Sequence, residues 1–185
     1  MDYRTRLRAA WFESMTRVFV SIGSNVDREH HVRSAIDALH RRFGAVRVSQ
    51  VYETVAVGFL GDPFLNLVAG FDTELELEEL VDALRDVEVS NGRKRTEKRF
   101  GPRTLDIDVL VFGDVICEED PIELPRSEIT RQAYILFPLA ELAPNAQHPV
   151  LGERYADMCT RLNLDTSGMH AVELQLPHAS GLTAP

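Results

Sequence analysis

Two aspartates stand two residues apart in Leu105-Asp106-Ile107-Asp108-Val109, inside an otherwise apolar run over residues 105–112. A strand places residues i and i+2 on one face, so the two carboxylates lie side by side with Cα atoms about 6–7 Å apart. Leu105, Ile107, Val109 and Val111 take the opposite face, toward a hydrophobic core. Two like charges at that spacing repel, and a bound divalent cation is the chemistry that relieves them. Immediately upstream, residues 93–103 hold Arg93, Lys94, Arg95, Lys98, Arg99 and Arg103 against only Glu97. That concentration of charge suits an anion site, although a solvated basic loop is the plainer meaning of a charge run alone.

The elements that must position these groups follow from periodicity. Residues 17–22 (RVFVSI) form a β-rich run ending at Gly23-Ser24-Asn25, where a strand-to-helix turn is the common reading. Asp27 suits a helix N-cap. Val32, Ala35, Ile36, Leu39 and Phe43 keep helical spacing, and Gly44 supplies the stop. Residues 46–55 read as one long second strand. Residues 56–63 are a loop, and 64–73 a third strand that Asn66 interrupts. A buried amide must find partners; a structural amide and a heterocycle-binding amide both fit.

Leu77, Leu80, Val81, Leu84 and Val87 make a second amphipathic helix that Asn91-Gly92 ends. Glu88 opposes the macrodipole at the end of that helix, so arginines should compensate it. The aspartate strand comes next. The resulting order is that of the split βαββαβ unit, an α+β ferredoxin-like core with a mainly antiparallel sheet covered by helices in α/β/α layers. A doubly wound parallel fold would need a helix between the second and third strands. The loop 56–63 is too short for one, so an antiparallel hairpin is expected. Downstream, Gly113-Asp114 is turn-like and Glu118, Glu119 and Asp120 should be exposed. Residues 122–124 suit a short edge strand, and 134–142 and 154–162 suit helices, the first closed by Ala143-Pro144. The expected organisation is a dispensable N-terminal extension (1–15), a single domain (16–164) and a flexible C-terminal tail (165–185).

The chain of 185 residues, 44% hydrophobic and 26% charged, has the balance of an ordinary globular domain. A net charge of −9 argues against general affinity for nucleic acid. No apolar run approaches the roughly 18–20 residues that span a bilayer. Arg4, Arg6 and Arg8 stand in the first fifteen residues without the apolar core of a signal peptide. Cys117 and Cys159 match neither a metal pattern nor a disulfide framework, which points to reduced thiols in a cytoplasm. A monomer without membrane or nucleic-acid partners is expected.

Asp-x-Asp alone is a weak signal, shared by several classes of phosphate-handling enzyme. In its context, Gly101-Pro102-Arg103-Thr104-Leu105-Asp106-Ile107-Asp108-Val109-Leu110 closely resembles the signature of the 6-hydroxymethyl-7,8-dihydropterin pyrophosphokinase family. The resemblance takes in Ile22-Gly23-Ser24-Asn25, Tyr52-Glu53-Thr54, Phe64-Leu65-Asn66 and Pro138-Leu139-Ala140-Glu141-Leu142-Ala143-Pro144, in order, over residues 18–162. It implies an enzyme of folate biosynthesis that moves pyrophosphate from ATP to the pterin hydroxymethyl group and releases AMP. By the same resemblance Arg93, Arg103, Asp106 and Asp108 are catalytic. Asp106 and Asp108 hold two Mg2+ ions that arrive with ATP. Thr54, Val55, Val57, Phe64, Asn66 and Tyr134 bind the pterin; Glu88, Arg95, Val109, Arg126 and Arg131 bind ATP. Phe64 and Tyr134 would supply aromatic faces for a flat heterocycle, and Asn66 both donor and acceptor for its amide edge. Loop 92–103 would close over bound ATP as a lid.

The match departs from the family in the nucleotide half. A histidine usual after Pro125 is Arg126. An arginine usual two residues before Tyr134 is Gln132, with Arg131 one position earlier, and a tryptophan of the basic loop is Phe100. These changes leave a second reading, a catalytically weak paralogue that binds pterin or nucleotide as a regulatory module. Retention of Arg93, Arg103, Asp106 and Asp108 favours the enzyme.

Overall fold

The computed structural model describes residues 15–55, 61–93, 102–119 and 122–177. Val57, Arg95, the interior of the expected lid (94–101), residues 1–14 and residues 178–185 lie outside the described residues. The elements are β1 (Thr16–Ser24), α1 (Arg28–Phe43), β2 (Arg47–Val48), β3 (Val51–Thr54), β4 (Phe64–Thr73), α2 (Leu77–Ser90) and β5 (Asp106–Phe112). They continue with β6 (Cys117–Glu119), β7 (Ile122–Leu124), a 3-10 turn (Ser127–Thr130), α3 (Ala133–Leu142), α4 (Tyr155–Leu162) and β8 (Met169–Val172).

The main sheet runs in the order β5-β1-β4-β3-β8, with β2 also paired to β4, and every pairing is antiparallel. This is the expected α+β architecture. Alternation along the central strands divides the core in two. Val18, Val20 and Ile22 of β1 and Leu65, Leu67, Ala69 and Phe71 of β4 face α1 and α2. Phe19 and Val68 point the other way, into a second cluster with Leu136 and Leu139 of α3 and Met158 of α4. On that second face α3 packs close to the sheet. A methyl group on Gly70 would lie 2.9 Å from the Phe19 ring and 3.2 Å from Leu142, so only hydrogen fits there.

Local structure corrects several expectations. The second strand is broken into β2 and β3 because Ser49 turns its polar groups inward. Its N–H donates to the Val68 carbonyl at 2.9 Å, and its Oγ accepts the Val68 N–H at 3.0 Å. Asp27 precedes α1 in a left-handed conformation (φ 42°), without a side-chain cap, and offers its carbonyl to the His31 N–H instead. In β5 the pairing register with β1 shifts between Phe19 and Val20, leaving Leu110 as an extra residue. The faces exchange at that bulge, so Val111 joins the second core while Ile107 stays in the first. Residues 122–124 are a strand, but they pair with β6 in a separate two-stranded sheet.

The tail expected from residue 165 is corrected in its first part. Met169–Val172 pairs with β3 as the last strand of the main sheet, and Leu174 and Leu176 pack against the first core. The four-residue strand is too short to show a hydrophobic period, and its backbone bonds cover the edge that β3 would otherwise leave bare. Gly44 and Asn91-Gly92 end α1 and α2 as expected.

His148 is buried beside Tyr155, and its Nδ1 accepts the N–H groups of Val150 and Leu151, each at 3.3 Å. Burial pushes its pKa below the usual histidine value, against the charge of Glu153. A pKa depressed on folding adds stability that is full above the unfolded value, about 6.5, and is lost as pH falls through the folded one. His148 should therefore subtract from the thermal midpoint between pH 7.5 and 5, against the opposite contribution of buried Glu88, whose raised pKa favours the fold as pH falls. His148→Asn, whose amide oxygen accepts the same two bonds without titrating, should flatten that part of the profile. An unchanged slope in the variant would remove His148 as the cause.

Candidate active site

The site lies on the second face, at the end of the sheet that α3 and α4 leave uncovered. In β5, Asp106 stands opposite Gly23 and Asp108 opposite Ser21. Gly23 in turn faces Asn66, and Asn66 faces Tyr52. One row across four strands therefore reads Asp106, Gly23, Asn66, Tyr52. Adjacent strands are about 4.8 Å apart, which separates the Asp106 and Asn66 backbones by about 10 Å with a glycine between them. A Cβ on Gly23 would come within 3.2 Å of Asn66 Oδ1 and 3.8 Å of the Phe64 ring. Glycine thus keeps open a floor between a carboxylate and an amide. Asn66 is oriented by donating from Nδ2 to Thr54 Oγ1 at 2.8 Å, which turns its oxygen toward that floor.

The end of β1 also ties down the chain on both sides. Asn25 is only 4% exposed; its Nδ2 donates to the Asp62 carbonyl at 3.1 Å, and its Oδ1 accepts the Arg103 N–H at 2.7 Å. The N–H groups of Asn25 and Val26 both donate to the Arg103 carbonyl, and Ser24 Oγ donates to the Thr104 carbonyl at 2.5 Å. Residues at the ends of the 56–63 loop and of the basic segment are therefore fastened to one turn. Sequence reasoning passed over Asn25 as an ordinary turn residue; its burial among backbone groups distant in sequence was the missing signal.

Arginines neutralise the acidic groups. Arg93 Nη1 bridges Glu88 Oε1 and Asp106 Oδ1, the latter at 2.5 Å, and Arg103 Nη1 lies 3.7 Å from the same aspartate oxygen. Glu88, 7% exposed, also accepts the Ile107 N–H at 2.8 Å, so it fastens the end of α2 to the edge of β5. Burial pushes its pKa up to about 7, against the Ile107 hydrogen bond and the charge of Arg93. Arg126 Nη2 meets Asp108 Oδ1 at 2.5 Å. Asp108 is nonetheless raised above the usual carboxylate range, first by burial and then by repulsion from Asp106, with Arg126 opposing. Tyr134 is raised by burial and then by the charges of Glu128, Asp108 and Asp106, which places its phenol in the field of the acidic pair.

Around the β5 edge from that floor, on the α2 side, a cavity of about 190 Å³ brings together Glu88, Arg93, Asp108, Val109 and Arg126 from the expected sets, with Val81 and Leu84 of α2 and Ile107 forming its apolar wall. Its size is below the roughly 300–1,000 Å³ of a whole-ligand pocket, so it takes one portion of a ligand. Thr54, Phe64 and Asn66 gather at the far end of the row, where Thr54 pairs with Phe64. Val55 is 67% exposed beyond them. Arg131 is exposed after the 3-10 turn and does not line this cavity. Glu128, which approaches Arg126, was not anticipated from sequence. Among the described residues no group of three or more His, Cys, Asp or Glu side chains could enclose a metal. Two carboxylates alone fit magnesium, which keeps several waters and shares its remaining positions with substrate phosphates.

A ferredoxin-like scaffold with an acidic pair among arginines, facing an open floor, has the charges that a phosphorylated, cation-bound ligand requires. Comparison with known proteins narrows that reading. The model of the 7,8-dihydro-6-hydroxymethylpterin-pyrophosphokinase family matches residues 19–144. The chain is 38% identical over 137 residues to the 2-amino-4-hydroxy-6-hydroxymethyldihydropteridine pyrophosphokinase of Pseudomonas aeruginosa, covering 72% of this chain and 84% of that one. It is 35% identical over 138 residues to the protein of the same name from Aquifex aeolicus, covering 74% and 86%. Among solved structures, a Plasmodium falciparum HPPK-DHPS chain superposes with a TM-score of 0.61 at 13% identity, over 80% of this chain and 41% of that longer one. The chain belongs to the 7,8-dihydro-6-hydroxymethylpterin-pyrophosphokinase family.

Asn25→Ala would leave the Arg103 N–H and the Asp62 carbonyl without their buried partner, at a cost of about 1–3 kcal/mol. Denaturant unfolding should show that loss, and hydrogen exchange should quicken at Arg103 while the β1–β4 amides stay protected. Unaltered exchange at Arg103 would contradict the fastening role.

Proposed function

We propose that the protein transfers pyrophosphate from ATP to 6-hydroxymethyl-7,8-dihydropterin, giving AMP and the pterin diphosphate. The observation that carries this reading is the row Asp106-Gly23-Asn66, which sets a heterocycle-sized floor beside an acidic pair. The pterin lies over Gly23, its amide edge paired with Asn66, its ring between Phe64 and Tyr134, with Thr54, Val55 and Val57 completing the pocket. Its hydroxymethyl group then points toward Asp106 and Asp108.

ATP enters from the β5 edge, where Glu88, Val109 and Arg126 line the cavity and Arg95 and Arg131 reach the phosphates. Asp106 and Asp108 hold the two magnesium ions. When bound, these supply charge neutralisation of the triphosphate and a lowered pKa for the attacking hydroxyl. Arg93 and Arg103, already beside Asp106, are placed to stabilise charge on the transferred group through their planar donor forks. The hydroxyl oxygen bonds to the β-phosphorus, the bond from that phosphorus to the α–β bridging oxygen breaks, and the hydroxyl proton passes to water. Holding the two reactants in line accounts for much of such catalysis.

The test mixes protein, ATP, magnesium and 6-hydroxymethyl-7,8-dihydropterin and measures AMP and pterin diphosphate. Both should accumulate in equal amounts; binding of both substrates without AMP would instead establish the regulatory reading. Asp108→Asn should lower kcat by about 10²–10³-fold or more with the circular dichroism spectrum intact. Gly23→Ala should raise KM for the pterin while leaving KM for ATP close to wild type, because its methyl group fills the floor and not the β5 cavity. A rise confined to KM for ATP would misplace the pterin.

A further inference from the structure

Arg126 is shared between two carboxylates of unequal standing. Its Nη2 contacts Asp108 Oδ1 at 2.5 Å, while its Nε lies 3.8 Å from Glu128 Oε2. That second distance is too long for a hydrogen bond, and Glu128 Oε2 is buried with no hydrogen-bond partner among the described residues. The Glu128 side chain is 41% exposed, so its other oxygen keeps water, and the cost of the missing donor falls on Oε2 alone. Closing 3.8 Å to a charge-assisted contact of about 2.8 Å needs a shift of about 1 Å. The backbone of Arg126 stays fixed meanwhile, because its N–H donates to the Leu110 carbonyl at 2.9 Å. Movement is therefore confined to the side chain.

We propose that Glu128 is the alternative seat of Arg126: the guanidinium occupies Asp108 in the cation-free protein and transfers to Glu128 when a divalent cation takes Asp108. This rests on the reading of Asp106 and Asp108 as the metal pair. Without the transfer, a cation at Asp108 would sit against a guanidinium already on the same oxygen, two positive charges at contact distance. With it, Asp108 is released from direct contact with the guanidinium, the orphaned oxygen of Glu128 gains its donor, and Arg126 remains beside the site. Glu128 is thus a positioning residue, acting through Arg126 and not on the substrates. Arg126 behaves as a resident counter-ion that the cation must displace.

Mn2+, which accepts the same oxygen ligands as magnesium, serves as the probe, with free ion counted by electron paramagnetic resonance at one fixed ATP concentration and without pterin, each variant read against an ATP-only control. Wild type should bind Mn2+, and Asp108→Asn should abolish or greatly weaken that binding. Arg126→Ala should tighten it by about tenfold, since nothing must be displaced. Glu128→Gln should weaken it severalfold, and the double variant should match Arg126→Ala alone. If Glu128→Gln weakens Mn2+ equally with and without Arg126, its effect is ordinary distant charge and the transfer is refuted. If Mn2+ binding is indifferent to Asp108→Asn, the metal reading itself fails, a result distinct from the former.

Discussion

Three carboxylates, those of Glu88, Asp106 and Asp108, converge at the start of β5, and the rest of the site depends on how their repulsion is held. Arg93, Arg103 and Arg126 interleave with them. The arrangement is near neutral as a group, although each carboxylate is at least partly withdrawn from water. A half-buried charge with one partner removed is far more costly than an exposed one, so no member is dispensable to the others. Arg93 illustrates this. It joins a carboxylate on α2 to one on β5, and through Glu88 and the Ile107 N–H it sets where the edge strand lies against the helix. The same charges that line the candidate site also fix the geometry of the sheet edge.

Opposite that constraint stands the end of β1, the central strand. Its last residues are chosen for what they leave out as much as for what they contact. Gly23 leaves the floor open, while Ser24 and Asn25 gather backbone from positions 62, 103 and 104. Residues 62, 103 and 104, which lead into two separate loops, share one reference point. β1 supplies it, because it is paired on both sides and contributes to both cores. Rigidity is built into the floor, where β1 is paired on both sides.

Periodicity carried most of the fold. Helical spacing in α1 and α2 and the run of β4 were legible because each buries a broad face, and the short 56–63 connection demanded a hairpin. Features decided by single tertiary contacts were not legible. Ser49 breaks a strand by one hydrogen-bond exchange with Val68, and a bulge at Leu110 sends Val111 to the other core. β8 exists only because β3 has an edge to pair. In the site, Asp106, Asp108 and Arg93 were readable from charge and spacing, whereas Asn25 and Glu128 act through partners that no local pattern announces. Asn66 was visible as an interruption, but its orientation required Thr54 across the hairpin.

The departures from the family pattern acquire a physical meaning in this setting. The Asp108 carboxyl is raised by desolvation and by its neighbour Asp106 despite an adjacent arginine, although its side chain keeps contact with solvent. A histidine at position 126 would be largely neutral above its ordinary pKa of about 6.5 and would then compensate Asp108 poorly. An arginine stays charged throughout that range, so it stays paired with Asp108 before any cation arrives. The corresponding cost is competition, because a permanent guanidinium does not withdraw when a metal approaches, as a neutral imidazole effectively does. A second acceptor beside the arginine resolves that conflict, and Glu128, two residues on, stands where one is needed. On this argument Arg126 and Glu128 act as one unit in physical terms: the first supplies lasting charge, and the second gives it somewhere else to go.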